Sequence, residues 1–397
     1  LIVDEIESIR SQFFSSTCKL KNLCIESFDM LLRTSDKVIC MDADISDNSV
    51  KLIKNTRKKP ITYIENLYQD TQNKFKEFYT TKNKKILQKI YKSLDSEEKI
   101  VIATNKSVEF QIGLKQTIER VFPKLRIQMY NSKTIRDPLI QEELKDVEKS
   151  WVNYDIVMYS PTISAGVSFD KIYFDTCFCF YVNNGKINSM RQMISRVRHF
   201  TTNTYNYCLQ SFGGSNKPMN FKGMEDYITS NRFIDKPDII HSKLNFDGTR
   251  NYPNKDSSYY LWIYHEIELT RDKNLFILNF LKEQYHAGIT NLHYMRDDEN
   301  DNENLLNEKV LKENTAFQKM ETCRNIAEAK HISDNEKIGI ESKLSDCKPI
   351  SDDEMNSLKR KNLYDFYQIE DDKQITDSFV KVYNDKNTKE AFTNRGL

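Results

Sequence analysis

Asp4 and Glu5 stand directly after a short apolar run, Leu1-Ile2-Val3, in the segment LIVDEIE. Nucleotide-hydrolysing motors end a buried strand in two carboxylates, one for the metal and one for the attacking water. Asp4 would hold Mg²⁺ through water, because magnesium takes few protein oxygens and keeps its own waters. Glu5 would polarise the attacking water. The same pair also suits the first turn of a helix, where carboxylates meet the positive end of the dipole. Taken alone, that plainer account carries more weight.

Four further segments place chemistry-bearing groups just after apolar runs. VICMDADIS brings Asp42, Ala43, Asp44 and Ser46 to a strand end. In a two-domain motor this position couples the nucleotide site to the strand track, although a helix cap at Ser46 or Asp47 is the simpler account. VIATNKSVEF leads from apolar residues 100–103 into Thr104, Asn105 and Lys106. Hydroxyl, amide and ammonium donors there suit a phosphodiester backbone; an ordinary strand-to-helix loop would look the same.

DIVMYSPTISAGVSFD is more specific. The chain has only ten glycines, yet Gly166 falls in a loop rich in hydroxyls, with Ser160, Thr162, Ser164 and Ser168 around it and Asp170 following. Glycine lets a backbone approach a phosphate closely, and hydroxyls can donate to it. In SMRQMISRVRHF, a helix over 189–200 would put Gln192, Ser195, Arg196 and His199 on one face. Arg191 and Arg198 would share a neighbouring face. Arginines aimed at a γ-phosphate neutralise transition-state charge, worth roughly 10³–10⁵ in rate. The plainer alternative is a basic surface helix.

The elements that must position these groups alternate through the first 200 residues. Apolar, strand-like runs at 1–3, 38–41, 61–64, 100–103, 126–129, 155–159 and 174–181 are separated by helical stretches, including 84–95, 107–121 and 138–150. Runs too apolar to have one wet face predict a parallel sheet covered by helices, an α/β fold. Ligands of such sheets bind beyond the carboxyl ends of the strands. Residues 65–98 read as a solvated helical stretch around a domain junction. Beyond about 205 the alternation fades, with residues 259–264 as a strand-like patch, 296–304 as an acidic linker and the last 90 residues as charged helices.

Composition narrows the class. The net charge is +1, but residues 297–397 hold 23 acidic against 16 basic residues, so the basic excess lies before them. That suits a polyanion partner without requiring one. Eight cysteines form no CxxC pair, so zinc spacing is absent and reduced thiols in an intracellular compartment are expected. No apolar run reaches the ~18 residues of a membrane helix. The chain opens on Leu1 inside a strand-like run, which reads as a fragment.

The five segments, in this order and spacing, resemble motifs II to VI of superfamily 2 helicases. The wording DEIESI, MDADIS, SPTISAGVSFD and QMISRVRH is similar to the herpesvirus-type replication origin-binding protein family, over about residues 1–200. The resemblance implies two RecA-like lobes with ATP held between them and ATP-driven, 3′-to-5′ unwinding of DNA at replication origins. Residues 1–58 would end the first lobe, 59–204 would form the second, and 205–397 an appended, mainly helical region. Asp4 and Glu5 match the Walker B pair, Thr162 and Gly166 motif V, and Gln192, Arg196 and Arg198 motif VI. The cofactors would be ATP and Mg²⁺, met by Asp4, Gly166, Ser168 and Arg196. Thr104, Asn105, Lys106 and Thr162 would meet DNA, single-stranded or origin duplex. Replication proteins would be further partners and no membrane would be involved, with a nuclear location if the viral or eukaryotic family pattern holds.

This chain departs from the pattern in three ways. No G-x-x-x-x-G-K-[ST] loop occurs, Ser195 stands where a glycine usually precedes the first motif VI arginine, and His199 occupies the last arginine position. Arg198 therefore becomes the expected second finger. Two other readings stay open: a helicase remnant that binds DNA without hydrolysis, and an interaction module whose acidic C-terminal part contacts a replication complex.

Overall fold

A computed structural model describes the chain except residues 16, 17, 19, 44, 67–74, 164–166, 231–239, 241, 254, 256, 297–301, 347, 385–387 and 390–397. Asp44, Ser164 and Gly166 thus lie outside the described residues, as does most of the acidic segment 296–304.

The chain begins β1 (Ile2–Val3), α1 (Ile6–Gln12), α2 (Lys21–Thr34), β2 (Ile39–Cys40), α3 (Asp47–Arg57). It continues β3 (Lys76–Thr80), α4 (Asn83–Asp95), β4 (Ile100–Thr104), α5 (Val108–Val121), β5 (Ile127–Tyr130), α6 (Pro138–Lys145), α7 (Val147–Ser150), β6 (Ile156–Tyr159), β7 (Phe174–Val182), α8 (Ile187–Ile194) and β8 (Phe200–Gln210). Then come α9 (Phe221–Ser230), β9 (Lys243–Leu244), β10 (Arg250–Asn251), α10 (Ser257–Asn274), α11 (Phe276–His286) and β11 (Leu292–Tyr294). Four helices close the chain: α12 (Asn302–Ala327), α13 (Asp334–Ser345), α14 (Asp352–Tyr367) and α15 (Asp377–Tyr383). No described helix is long and apolar enough to cross a membrane.

Two compact units result. One comprises Leu1–Gln69, Asn183–Asn188 and Ser211–Lys282, the other Asp70–Val182, Ser189–Gln210 and Glu283–Leu397. The first unit holds the two-stranded sheets β1–β2 and β9–β10. Its largest apolar cluster joins Met224 and Ile228 of α9 to Tyr259, Trp262, Ile263 and Ile267 of α10.

The second unit is built on a seven-stranded sheet, order β11-β3-β8-β7-β4-β6-β5, with every neighbouring pair parallel. This is the expected α/β architecture. β4 and β6 are buried along their whole length, the state that apolar strands reach when helices cover both faces. On one face Ile86, Leu87 and Ile90 of α4 pack with Phe110, Leu114 and Ile118 of α5 and with Leu311 of α12. Gly113 lets α12 come that close: a Cβ there would lie 2.8 Å from both the amide nitrogen and the hydroxyl of Thr315.

Several local expectations fail, each for a readable reason. Residues 61–64 form no strand, and Ile64 is 86% exposed. The expected helical stretch 65–98 contains β3, whose buried positions are Glu77 and Thr80, so its hydropathy pattern is inverted. Residues 259–264 belong to α10 rather than to a strand. The helix expected over 189–200 stops at Ile194, and the alternation expected to fade beyond about 205 continues in strand β8, which runs to Gln210.

Candidate nucleotide and nucleic-acid site

In the first unit β1 and β2 pair in parallel, Ile2 opposite Ile39 and Val3 opposite Cys40. That register sets the two following loops side by side, and hydrogen bonds join them. The Ile6 amide donates to the Met41 carbonyl (3.2 Å) and the Glu7 amide to Asp42 Oδ2 (3.0 Å). Asp42 thereby satisfies one of the amides that a helix start leaves without a partner. The Ser46 amide returns a bond to Glu7 Oε1 (2.8 Å), and the Ser46 hydroxyl caps α3 by accepting from the Ser49 amide.

Asp4 is exposed, and its Oδ1 accepts the Glu5 amide at 3.1 Å. Glu5 lies in the left-handed region at φ 52°. A non-glycine residue held there costs roughly 1–3 kcal/mol, and such strain gathers at functional sites. Behind this turn Arg10, only 2% exposed, uses Nη2 to reach Glu7 (2.7 Å), Glu268 (2.9 Å) and the Ser46 hydroxyl (3.3 Å). Its Nε and Nη1 have no partner among the described residues. Burial pushes the Glu7 carboxyl up, but the Arg10 charge and bonds from Ser49 and Ser46 outweigh it and hold it below its usual value. Sequence reasoning gave Glu7, Arg10 and Glu268 no role. The i, i+3 spacing of Glu7 and Arg10 was a signal; Glu268, 258 residues from Arg10, offered none.

In the second unit the TNK segment is engaged internally. Thr104 is fully buried; its hydroxyl donates to the Phe180 carbonyl (2.8 Å) and accepts from the Lys106 amide (3.1 Å). Asn105 exchanges two bonds with the backbone of Val182, both 2.8 Å. The Lys106 ammonium reaches Gln210 Oε1 (2.6 Å) and Asn83 Oδ1 (3.0 Å), and burial pushes its pKa down to about 8. These three side chains brace the carboxyl ends of β4, β7 and β8 instead of standing as a row of open donors.

The hydroxyl loop and the arginine segment come together. Phe169 and Val197 form a parallel bridge: the Phe169 amide donates to the Arg196 carbonyl (2.7 Å) and the Arg198 amide to the Phe169 carbonyl (3.0 Å). Ser160 donates to the Thr162 hydroxyl (3.0 Å), and Ser168 to Asp170 Oδ1 (3.3 Å). Asp170 also pairs with Arg198 at 3.2 Å in an exposed bridge. Arg196 Nη1 reaches the Val167 carbonyl at 3.5 Å, and its buried Nε has no partner among the described residues. Buried tyrosines seat α8: Tyr159 and Tyr181 hydroxyls donate to the Met193 (2.9 Å) and Met190 (3.1 Å) carbonyls. Gln192 is on α8 while Ser195, Arg196 and His199 follow it on a turn and an extended segment, so the shared helix face expected for these four does not form, nor the neighbouring one expected for Arg191 and Arg198.

A profile described as "Origin of replication binding protein" matches residues 1–119 and 139–220, just over half of the chain. The chain belongs to that family. Two relatives illustrate the range of proteins that this chain resembles. One, named for a helicase/primase complex of African swine fever virus, is 30% identical over 408 residues, covering all of this chain and 37% of its own length. The other, the replication origin-binding protein of human herpesvirus 6A, is 27% identical over 216 residues, half of this chain and 25% of its own. The origin-binding family chain therefore spans little more than a third of the length of the first relative. Among solved structures, S. cerevisiae Dbp5 bound to RNA and ADP BeF3 overlaps 78% of this chain and 62% of its own, with TM-score 0.40 and 10% identity.

Proposed function

We propose that this chain is the motor portion of an ATP-dependent DNA helicase that acts at replication origins. The observation that carries the reading is the backbone exchange between Phe169 and Val197, which ties the hydroxyl loop to Arg196 and Arg198. A phosphate-facing loop and two arginines in one place are the parts a phosphoryl-transfer site needs on its second lobe.

The residues present fit the nucleotide and its metal. Arg196 carries a buried guanidinium Nε without a partner among the described residues, a donor suited to a phosphate oxygen. Asp4 is an exposed hard oxygen ligand, and the described residues contain no larger carboxylate or thiolate cluster for a metal. One carboxylate with waters and phosphate oxygens is the usual surrounding of Mg²⁺. When bound, Mg²⁺ neutralises charge on the β- and γ-phosphates. Asp4 would hold it and Glu5 would orient and polarise water. Gly166, Ser168 and Arg196 would meet the phosphates, with Arg198 as second finger and Gln192 beside them. Thr162 would contact DNA, while Thr104, Asn105 and Lys106 shape the loop that the strand crosses. The division at residues 58 and 204 belongs to this reading, as do replication proteins as further partners.

Fluorescence anisotropy with mixed-sequence and origin-like oligonucleotides at several salt concentrations tests the DNA reading. The chain should bind single strands with little sequence preference and a shallow salt slope of about 2–4, at ~0.7 per phosphate neutralised. No binding at low salt would overturn it; strong preference for one duplex would place a base reader in residues 205–397.

A further inference from the structure

Beyond the carboxyl ends of β4 and β5, inside the second unit, lies a groove of about 990 Å³. The first turn of α5 and residues 132–136 form one wall, and parts of α12, α13 and α14 the other. Ligands of parallel α/β sheets approach from this end of the strands. Lys133 and Arg136 from the first wall and Lys359 from α14 line it together. Among the described residues none of these three side chains has a hydrogen-bond or ion-pair partner.

Of the six carboxylates that share the groove, Glu336, Glu354 and Glu109 are engaged, while Glu328, Asp352 and Asp353 have no side-chain partner among the described residues. Glu336 closes the capping box of α13 and pairs with Lys330 at 2.8 Å. Glu354 does the same for α14 and pairs with Lys343. Glu109 accepts the Thr322 hydroxyl at 3.3 Å. Asp352 and Asp353 sit in the first turn of α14, where the helix dipole favours them without a cation. Burial, then the Lys133 and Arg136 charges, push the Lys359 ammonium below its ordinary value; Glu109 and Asp352 offset only part of this. Three like charges from two walls thus meet in the groove, none of them in an ion pair among the described residues.

We propose that this groove binds the phosphodiester backbone of a single DNA strand, with Lys133, Arg136 and Lys359 each neutralising a phosphate. α14, outside the residues that match the family, then supplies one wall of the strand path. The inference rests on the DNA-binding reading above and adds to it a specific wall and specific cations. Lysine and arginine contacts to phosphate fix the strand without reading its bases.

The test is the salt-dependent anisotropy titration of a labelled mixed-sequence single strand against four proteins: the chain itself, Lys359→Gln, the double variant Lys133→Gln/Arg136→Gln, and Lys343→Gln. Lys359→Gln should weaken low-salt binding on the order of five-fold, uniformly across sequences, and reduce the salt slope by ~0.7. The double variant should lose about twice that slope, and Lys343→Gln, whose lysine is already paired, should match the parent. Because Lys359→Gln removes repulsion, its thermal midpoint should equal or exceed the parent's, so weak binding cannot be laid to misfolding. If the parent binds but Lys359→Gln binds equally with the same slope, the groove assignment fails while the DNA reading stands. If the parent does not bind, both fail. Capture of a poly-glutamate peptide that Lys359→Gln abolishes, with oligonucleotide affinity untouched, would assign the groove to an acidic protein partner and overturn the proposal.

Discussion

Glu5 combines a strained backbone with the role proposed for it in polarising water, and the two can be separated. At φ 52° glycine carries no Cβ penalty, so Glu5→Gly should stabilise the chain by roughly 1 kcal/mol. A lower midpoint in a urea titration would show that the Glu5 side chain contributes more than its backbone costs. Glu5→Gln keeps the strain and removes the negative charge. In a protein joining this chain to a P-loop-bearing segment, it should retain ATP and DNA binding yet slow turnover at least ~100-fold. Parental turnover in that variant would remove Glu5 from catalysis. Arg10 and Glu7 act behind this residue: their bonds to Ser46 and Glu268 fix the loop from which Asp4 and Glu5 project.

Among the elements, α12 and β3 make opposite demands. α12 lies so close to α5 that a Cβ on Gly113 would meet the Thr315 backbone. Alanine is the better helix former by about 1 kcal/mol, yet overpacking against backbone costs about 1–3 kcal/mol. Gly113→Ala should therefore lower the denaturant midpoint; an unchanged or raised midpoint would mean that α12 yields freely. On β3, Glu77 is buried, accepting from Tyr207 (2.7 Å) and Gln284 (3.2 Å), and burial pushes its pKa from 4.5 to about 7. Between these values the folded state keeps a proton that the unfolded chain releases. Stability should accordingly be full below about pH 4.5 and fall as pH rises to about 7, by up to about 3 kcal/mol. Unfolding titrations across that window should show the fall in the parent and its absence in Glu77→Gln. A flat parent curve would mean that Glu77 titrates as an ordinary carboxylate.

For the whole molecule, the sequence holds no G-x-x-x-x-G-K-[ST] loop. The backbone amides and lysine that cradle the β- and γ-phosphates are absent from these 397 residues. The chain by itself should show no DNA-stimulated ATP turnover at a motor's rate, even where it binds DNA. A steady-state phosphate-release assay on the purified chain checks this, and turnover of about 1 s⁻¹ or faster, within the common enzyme range, would overturn it. Residues beyond 282 all join the second unit, so truncations before α12 should expose the face that Leu311 covers and lower solubility as well as stability.

The amino-acid sequence determined the family, the parallel α/β sheet and the order of the five motifs. These depend on local features: apolar runs of strand length and short polar signatures at their ends. Thr104, Asn105 and Lys106 were legible as a strand-end cluster, and Arg196 and Arg198 as the arginines of the last motif. Only the tertiary structure decided what those groups touch. Burial turns Thr104 inward to the Phe180 carbonyl, and the bridge between Phe169 and Val197 ends α8 before the arginines. β3 stayed hidden because its buried positions carry Glu77 and Thr80, and the groups that satisfy Glu77, Tyr207 and Gln284, lie far away in sequence. Hydropathy periodicity records which residues avoid water. It does not record a carboxylate satisfied by Tyr207, an Arg10 neutralised from α10, or a Lys359 brought beside Lys133 by helices folding back over the sheet.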